Sequence, residues 1–142
     1  MSVDQLKALC DQRFPLSITR SRIMENLDKL IGLIQSNGMK GEVWIDGSFL
    51  TEKLNPDDVD LVLVVKAPDY LSMDDKARKF FEWFQKTPLY DQYRCDNYAL
   101  LMDENRPDND WRLAYWIKQF GFSRTDVMKG LAVVKVPFVV TP

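Results

Sequence analysis

Val43-Trp44-Ile45-Asp46-Gly47-Ser48, nine further residues, then Asp58-Val59-Asp60-Leu61-Val62-Leu63-Val64-Val65-Lys66: residues 43 to 66 decide how this chain folds. Glu42 to Asp46 reads as a short strand running into a turn at Gly47-Ser48, and Val59 to Lys66 as a second strand. The apolar residues Leu61 to Val65 are continuous rather than alternating, which predicts a central strand covered on both faces. Between the two, Phe49 to Lys53 has room for one helical turn before the breaker Asn55-Pro56.

Upstream, a first helix is expected over Val3 to Gln12. A second is expected from about Arg20 to Ser36, with Ile23, Leu27, Leu30, Ile31 and Ile34 at helical spacing and Asn37-Gly38 as its left-handed stop. Downstream, Ser72 with Asp75 resembles a capping box that opens a helix to about Lys86, in which Ala77, Phe80, Phe81 and Phe84 mark the buried stripe. Arg94 to Asp103 reads as a third strand, Trp111 to Phe120 as a helix stopped by Gly121, and Leu131 to Val140 as a last strand that Pro137 confines to a sheet edge. Helices and strands in this alternation predict an α/β (α+β) architecture, a mixed sheet of about four strands covered by helices.

Composition fits one domain over residues 1–142, with 46% hydrophobic and 28% charged residues. A formal net charge of −2 denies the chain the basic field that supplies non-specific nucleic-acid affinity, so any RNA or DNA contact must be local. The longest apolar run, Leu61 to Val65, is far short of a membrane span, and the reading is a cytoplasmic protein with no membrane partner. Cys10 and Cys95, far apart in sequence and without CxxC spacing, argue against a zinc site and a disulfide framework and read as reduced thiols. The chain has no histidine, which excludes Ser-His-Asp and Cys-His catalysis and HExxH zinc hydrolases together. Chemistry must rest on carboxylates, Lys, Ser, Tyr or a hard metal ion.

The segment around the Gly-Ser turn offers such chemistry. Gly47 lets the backbone approach a ligand with no Cβ in the way, and Ser48 with neighbouring amides can donate to phosphate oxygens. Asp58 and Asp60 stand at i and i+2, so both carboxylates leave the same face of a strand. Two such acids beside an apolar strand repel unless a cation lies between them, and Mg²⁺ (or Mn²⁺), which takes one or two carboxylates plus substrate phosphates, suits them. Taken singly, Gly47-Ser48 is a plain turn and Asp57-Asp58 a solvated loop. The spacing, with Asp60 inside an apolar strand, is what joins them.

This pattern resembles the DNA polymerase β-like nucleotidyltransferase superfamily, marked by hydrophobic-Gly-Ser, about a dozen residues, then acid-hydrophobic-acid. The resemblance implies the nucleotidyltransferase fold and metal-binding roles for Asp58 and Asp60. It also implies a triphosphate-binding role for Ser48 beside Gly47, and a third metal-binding carboxylate on a later strand. Asp96 in Arg94-Cys95-Asp96-Asn97-Tyr98 is the preferred third acid, with Asp103 and Asp46 as the alternatives. The wider chain, through Cys95-Asp96, Phe120-Gly121-Phe122-Ser123-Arg124 and Lys129-Gly130-Leu131-Ala132, is similar to a group of short bacterial nucleotidyltransferase-like proteins over about residues 40 to 135.

The implied activity is transfer of an NMP from an NTP to a hydroxyl of a partner protein or RNA. The chain's size resembles minimal nucleotidyltransferases that act as antitoxins. The rival reading is a non-catalytic binding module on the same fold, an antitoxin or immunity protein. Lys53, Arg124 and Lys129 could neutralise a triphosphate but read first as solvated surface. The aromatic groups Phe80, Phe81, Trp83, Phe84 and Trp111, Tyr115, Trp116, Phe120 read as core at helical spacing, with Trp83 off the stripe.

Overall fold

The computed structural model describes residues 1–46, 54–103 and 132–137. The expected helical turn over Phe49 to Lys53, the helix Trp111 to Phe120, and Lys53, Arg124 and Lys129 lie outside them.

The chain opens with α1 (Val3–Lys7). A capping box starts it, the Gln5 amide donating to Ser2 Oγ at 3.1 Å and the Ser2 amide to Gln5 Oε1 at 2.9 Å. The expected single helix to Gln12 changes register after Lys7 into a π-helical turn, Ala8–Gln12. Next comes α2 (Arg20–Ser36), whose Ile23, Met24, Leu27, Leu30, Ile31 and Ile34 are all buried along one stripe. Arg20, at its start, is also buried: its guanidinium donates to the Cys10 carbonyl at 2.8 Å and lies 3.8 Å from the centroid of the Phe14 ring. Burial lowers the pKa of Arg20 and pushes the Cys10 thiol up to about 11, the nearby guanidinium pulling the other way. Gly38, at φ 80°, ends the helix as expected.

Four strands follow among the described residues: β1 (Gly41–Asp46), β2 (Val59–Lys66), β3 (Cys95–Met102) and β4 (Ala132–Val136). They form one mixed sheet in the order β3-β2-β1-β4, with β1 antiparallel to both β2 and β4, and β2 parallel to β3. β2 is central, as its unbroken apolar run requires. Its Val59, Leu61, Leu63 and Val65 join the main core, and its Val62 and Val64 pack on the opposite face with Trp44 and Leu100. Among the described strands β4 is at the edge, and it stops before Pro137.

Three helices link β2 to β3: α3 (Ala67–Leu71), α4 (Asp75–Lys86) and α5 (Tyr90–Tyr93). α4 buries Ala77, Phe80, Phe81 and Phe84 against the same sheet face as α2, and Trp83 is off the stripe and 39% exposed. Its start corrects the expected Ser72 cap. Asp74 is the N-cap, taking the Ala77 amide at 2.8 Å, while Ser72 closes α3, its hydroxyl donating to the Asp69 carbonyl at 2.9 Å. Both cysteines are free and buried. Among the described residues no helix is long and apolar enough to cross a membrane.

Candidate functional site

The strand register brings three acids into one row. Asp46, the last residue of β1, stands opposite Asp60 near the head of β2, and Asp60 in turn pairs with Asp96 near the head of β3. Side chains alternate along a strand. Asp46, Asp60 and Asp96 therefore share the face of Trp44, Val62, Val64 and Leu100, opposite the one that α2 and α4 cover. Asp58 lies two residues ahead of Asp60, just before β2 begins. Solvent access grades along the row, from Asp46, fully buried, through half-buried Asp60 to exposed Asp96; Asp58 is half-buried.

Of the alternatives for a third acid, Asp103 follows Met102, whose partner is Lys66 at the far end of β2. It stands seven positions beyond Asp96, roughly 23 Å of extended chain. Asp46 and Asp96 are the two that flank Asp60. Gly47 and Ser48 lie outside the described residues.

Two linkages hold the head of β3, one to β2 and one to the end of α4 and the segment that follows it. The Val59 amide donates to the Arg94 carbonyl at 3.1 Å. Arg94 has a left-handed backbone, φ 55°, a conformation non-glycine residues seldom adopt, and closes α5 through its amide to the Tyr90 carbonyl at 2.8 Å. Its guanidinium donates to the Tyr90 hydroxyl at 2.8 Å and lies 3.8 Å from Asp57 Oδ1, and the Tyr90 hydroxyl donates to Asp57 Oδ2. That last hydrogen bond raises the Tyr90 pKa. Asn97 makes the second linkage: its amide nitrogen donates to the carbonyls of Phe84 and Thr87, both at 2.8 Å, and its oxygen takes the Leu89 amide at 3.0 Å. A pocket of about 210 Å³ lies there, with Thr87, Leu89, Tyr90, Cys95, Asp96 and Asn97 among its walls.

The electrostatics are those of an acidic site. The buried Cys95 thiol is pushed up to about 12, first by desolvation and then by the negative charges of Asp58 and Asp60. On the row itself, the Tyr98 hydroxyl donates to Asp96 Oδ2 at 2.9 Å. The sequence reading gave Tyr98 no role, although a tyrosine two residues after an acid on one strand shares its face.

Among the described residues no three His, Cys, Asp or Glu side chains are grouped so as to hold a metal ion between them. The expected trio Asp58, Asp60 and Asp96 is thus not drawn together into a closed cage. The donor chemistry, hard carboxylate oxygens on one sheet face, suits a Mg²⁺ that takes one or two carboxylates and completes its shell with phosphate oxygens and water.

No curated protein and no solved structure matches the chain. One sequence-family profile does, over residues 1–135, and its description is "Family of unknown function (DUF6932)". The chain, with its acidic row across three strands, belongs to that family.

Proposed function

We propose that the chain is a nucleotidyltransferase of the DNA polymerase β-like kind, using Mg²⁺ or Mn²⁺ to move an NMP from an NTP to a hydroxyl of a partner protein or RNA, in an antitoxin-type regulatory role. The observation that carries this reading is the alignment of Asp60 with Asp96 and Asp46 across adjacent strands, with Asp58 two residues ahead. A mixed sheet in which β2 runs antiparallel to β1 and parallel to β3 is compatible with the nucleotidyltransferase fold that the Gly-Ser and acid motifs imply.

In this reading Asp58 and Asp60 hold the metal together with the triphosphate, and Gly47 and Ser48 receive phosphate oxygens. The metal, when bound, neutralises charge on the phosphates during displacement. Asp96, the exposed end of the row, accepts the proton of the incoming hydroxyl. Asp46 is buried beside Asp60, where a bound cation would favour its ionised form. A net charge of −2 implies that the acceptor is delivered by a specific partner rather than gathered by a basic surface.

The rival reading is a non-catalytic binding module on the same fold. Incubation with each α-³²P-labelled NTP, Mg²⁺ and a lysate of the host separates the two. Transfer labels one discrete protein or RNA band, and Asp58→Asn with Asp60→Asn abolishes the label while the partner is still captured. A binding module captures the same partner with wild type and mutant alike and labels nothing.

A further inference from the structure

We infer that Tyr98 is a nucleotide acceptor, so that the chain modifies itself on this phenol; the inference rests on the transferase reading above. The Tyr98 hydroxyl donates to Asp96 Oδ2 at 2.9 Å. An acceptor hydroxyl has to make this contact with the carboxylate that takes its proton. Tyr98 follows Asp96 by two residues on β3, so the phenol rises from the same sheet face as Asp96 and Asp60, which are cross-strand partners. Among the described strands β3 ends the sheet on that side, and Tyr98 is 36% exposed, so its phenol is reachable from solvent.

The other described tyrosines stand elsewhere. Tyr70 and Tyr93 pack against the main core on the helical face, and the Tyr90 hydroxyl is held by Asp57 and Arg94. Among the described tyrosines, Tyr98 is thus the one whose hydroxyl meets the acidic row.

The step balances without a redox partner. Tyr98 Oη attacks the α-phosphorus of an NTP, and the Oη–P bond forms as the bond from that phosphorus to the α,β-bridging oxygen breaks. The electron pair leaves with pyrophosphate, and the phenolic proton passes to Asp96. The product is a tyrosyl nucleotide phosphodiester at the face of the sheet. That nucleotide would cover the row and compete with an incoming partner hydroxyl, making self-modification a brake on transfer.

The test is to incubate the purified full chain, with no other protein present, with Mg²⁺ and each α-³²P-labelled NTP, then to map the label by intact-mass and peptide mass spectrometry. One NMP added per chain, on the peptide that holds Tyr98, is the expected result. Tyr98→Phe, with an unchanged melting temperature, brings the self-label to background. Label mapped to any other residue overturns the inference, and the wild-type map decides this even where the variant is unstable. Label on a lysate component but none on the chain also overturns it, while leaving the transferase reading intact. No label on either, together with no NTP-dependent rise in melting temperature, removes both.

Discussion

Asp60 faces another carboxyl group on each side, buried Asp46 across an antiparallel pair and exposed Asp96 across a parallel one. Like charges placed opposite each other on neighbouring strands destabilise a sheet by about 0.2–1 kcal/mol. Asp60→Asn is therefore expected to leave the ligand-free protein as stable as wild type, or up to about 1 kcal/mol more stable, while removing its response to NTP and Mg²⁺. Urea denaturation with and without the ligands checks both halves. A ligand-free variant that loses stability would mean that the Asp60 carboxylate is a structural acceptor, and the site assignment would fall. The placement of Asp60 at the head of β2 was legible in the sequence, because an acid inside the run Val59 to Val65 conflicts with its surroundings. The place of Asp96 beside Asp60 was not. Which residue of β3 meets which residue of β2 depends on the intervening helices and on the Val59–Arg94 hydrogen bond, and no local pattern encodes it.

Elements with a strong pattern were read closely, and those set by single hydrogen bonds were not. The span Val59–Lys66 is the same in sequence and structure, because eight residues with almost every side chain buried admit little else. The stripe of α4 was also evident, but its start moved from Ser72 to Asp74, since two candidate caps lie within three residues and the choice rests on which oxygen reaches the Ala77 amide. The short α3 and α5 have no periodicity to detect. Another such hidden constraint is Gly41, the first residue of β1. A Cβ there would lie 2.1 Å from the Val64 carbonyl oxygen of β2, and backbone of a central strand cannot yield as a flexible side chain can. Gly41→Ala is expected to destabilise the protein by about 2–3 kcal/mol, the upper part of the overpacking range. The check is a lower urea midpoint at an unchanged slope. A loss under about 0.5 kcal/mol would show that β1 can shift along β2, and the register that aligns Asp46 with Asp60 would lose its support.

For the molecule as a whole, the proposed metal and nucleotide site predicts a definite thermal signature. Asp58 and Asp60 are concentrated at one end of the sheet with Asp46 behind them, and Cys95 senses their charge. Metal ions alone find an incomplete ligand set there, because no third His, Cys, Asp or Glu side chain closes the group among the described residues. Triphosphate alone adds negative charge to negative charge. The two together supply what each lacks, oxygen donors for the metal and a cation for the acids, so their effects on stability should exceed the sum of the separate ones. At a concentration 100 times Kd, a ligand that binds only the native state adds about 2.7 kcal/mol, a rise in melting temperature of roughly 5–10 °C for a chain of this size. Thermal denaturation with Mg²⁺ alone, with each NTP alone and with each pair measures this directly, and Asp58→Asn should erase the synergy without lowering the starting melting temperature. A rise with NTP that is the same with and without metal would place the nucleotide away from the acids. No rise with any of the four pairs would leave the mixed sheet as a scaffold for binding a partner by contact.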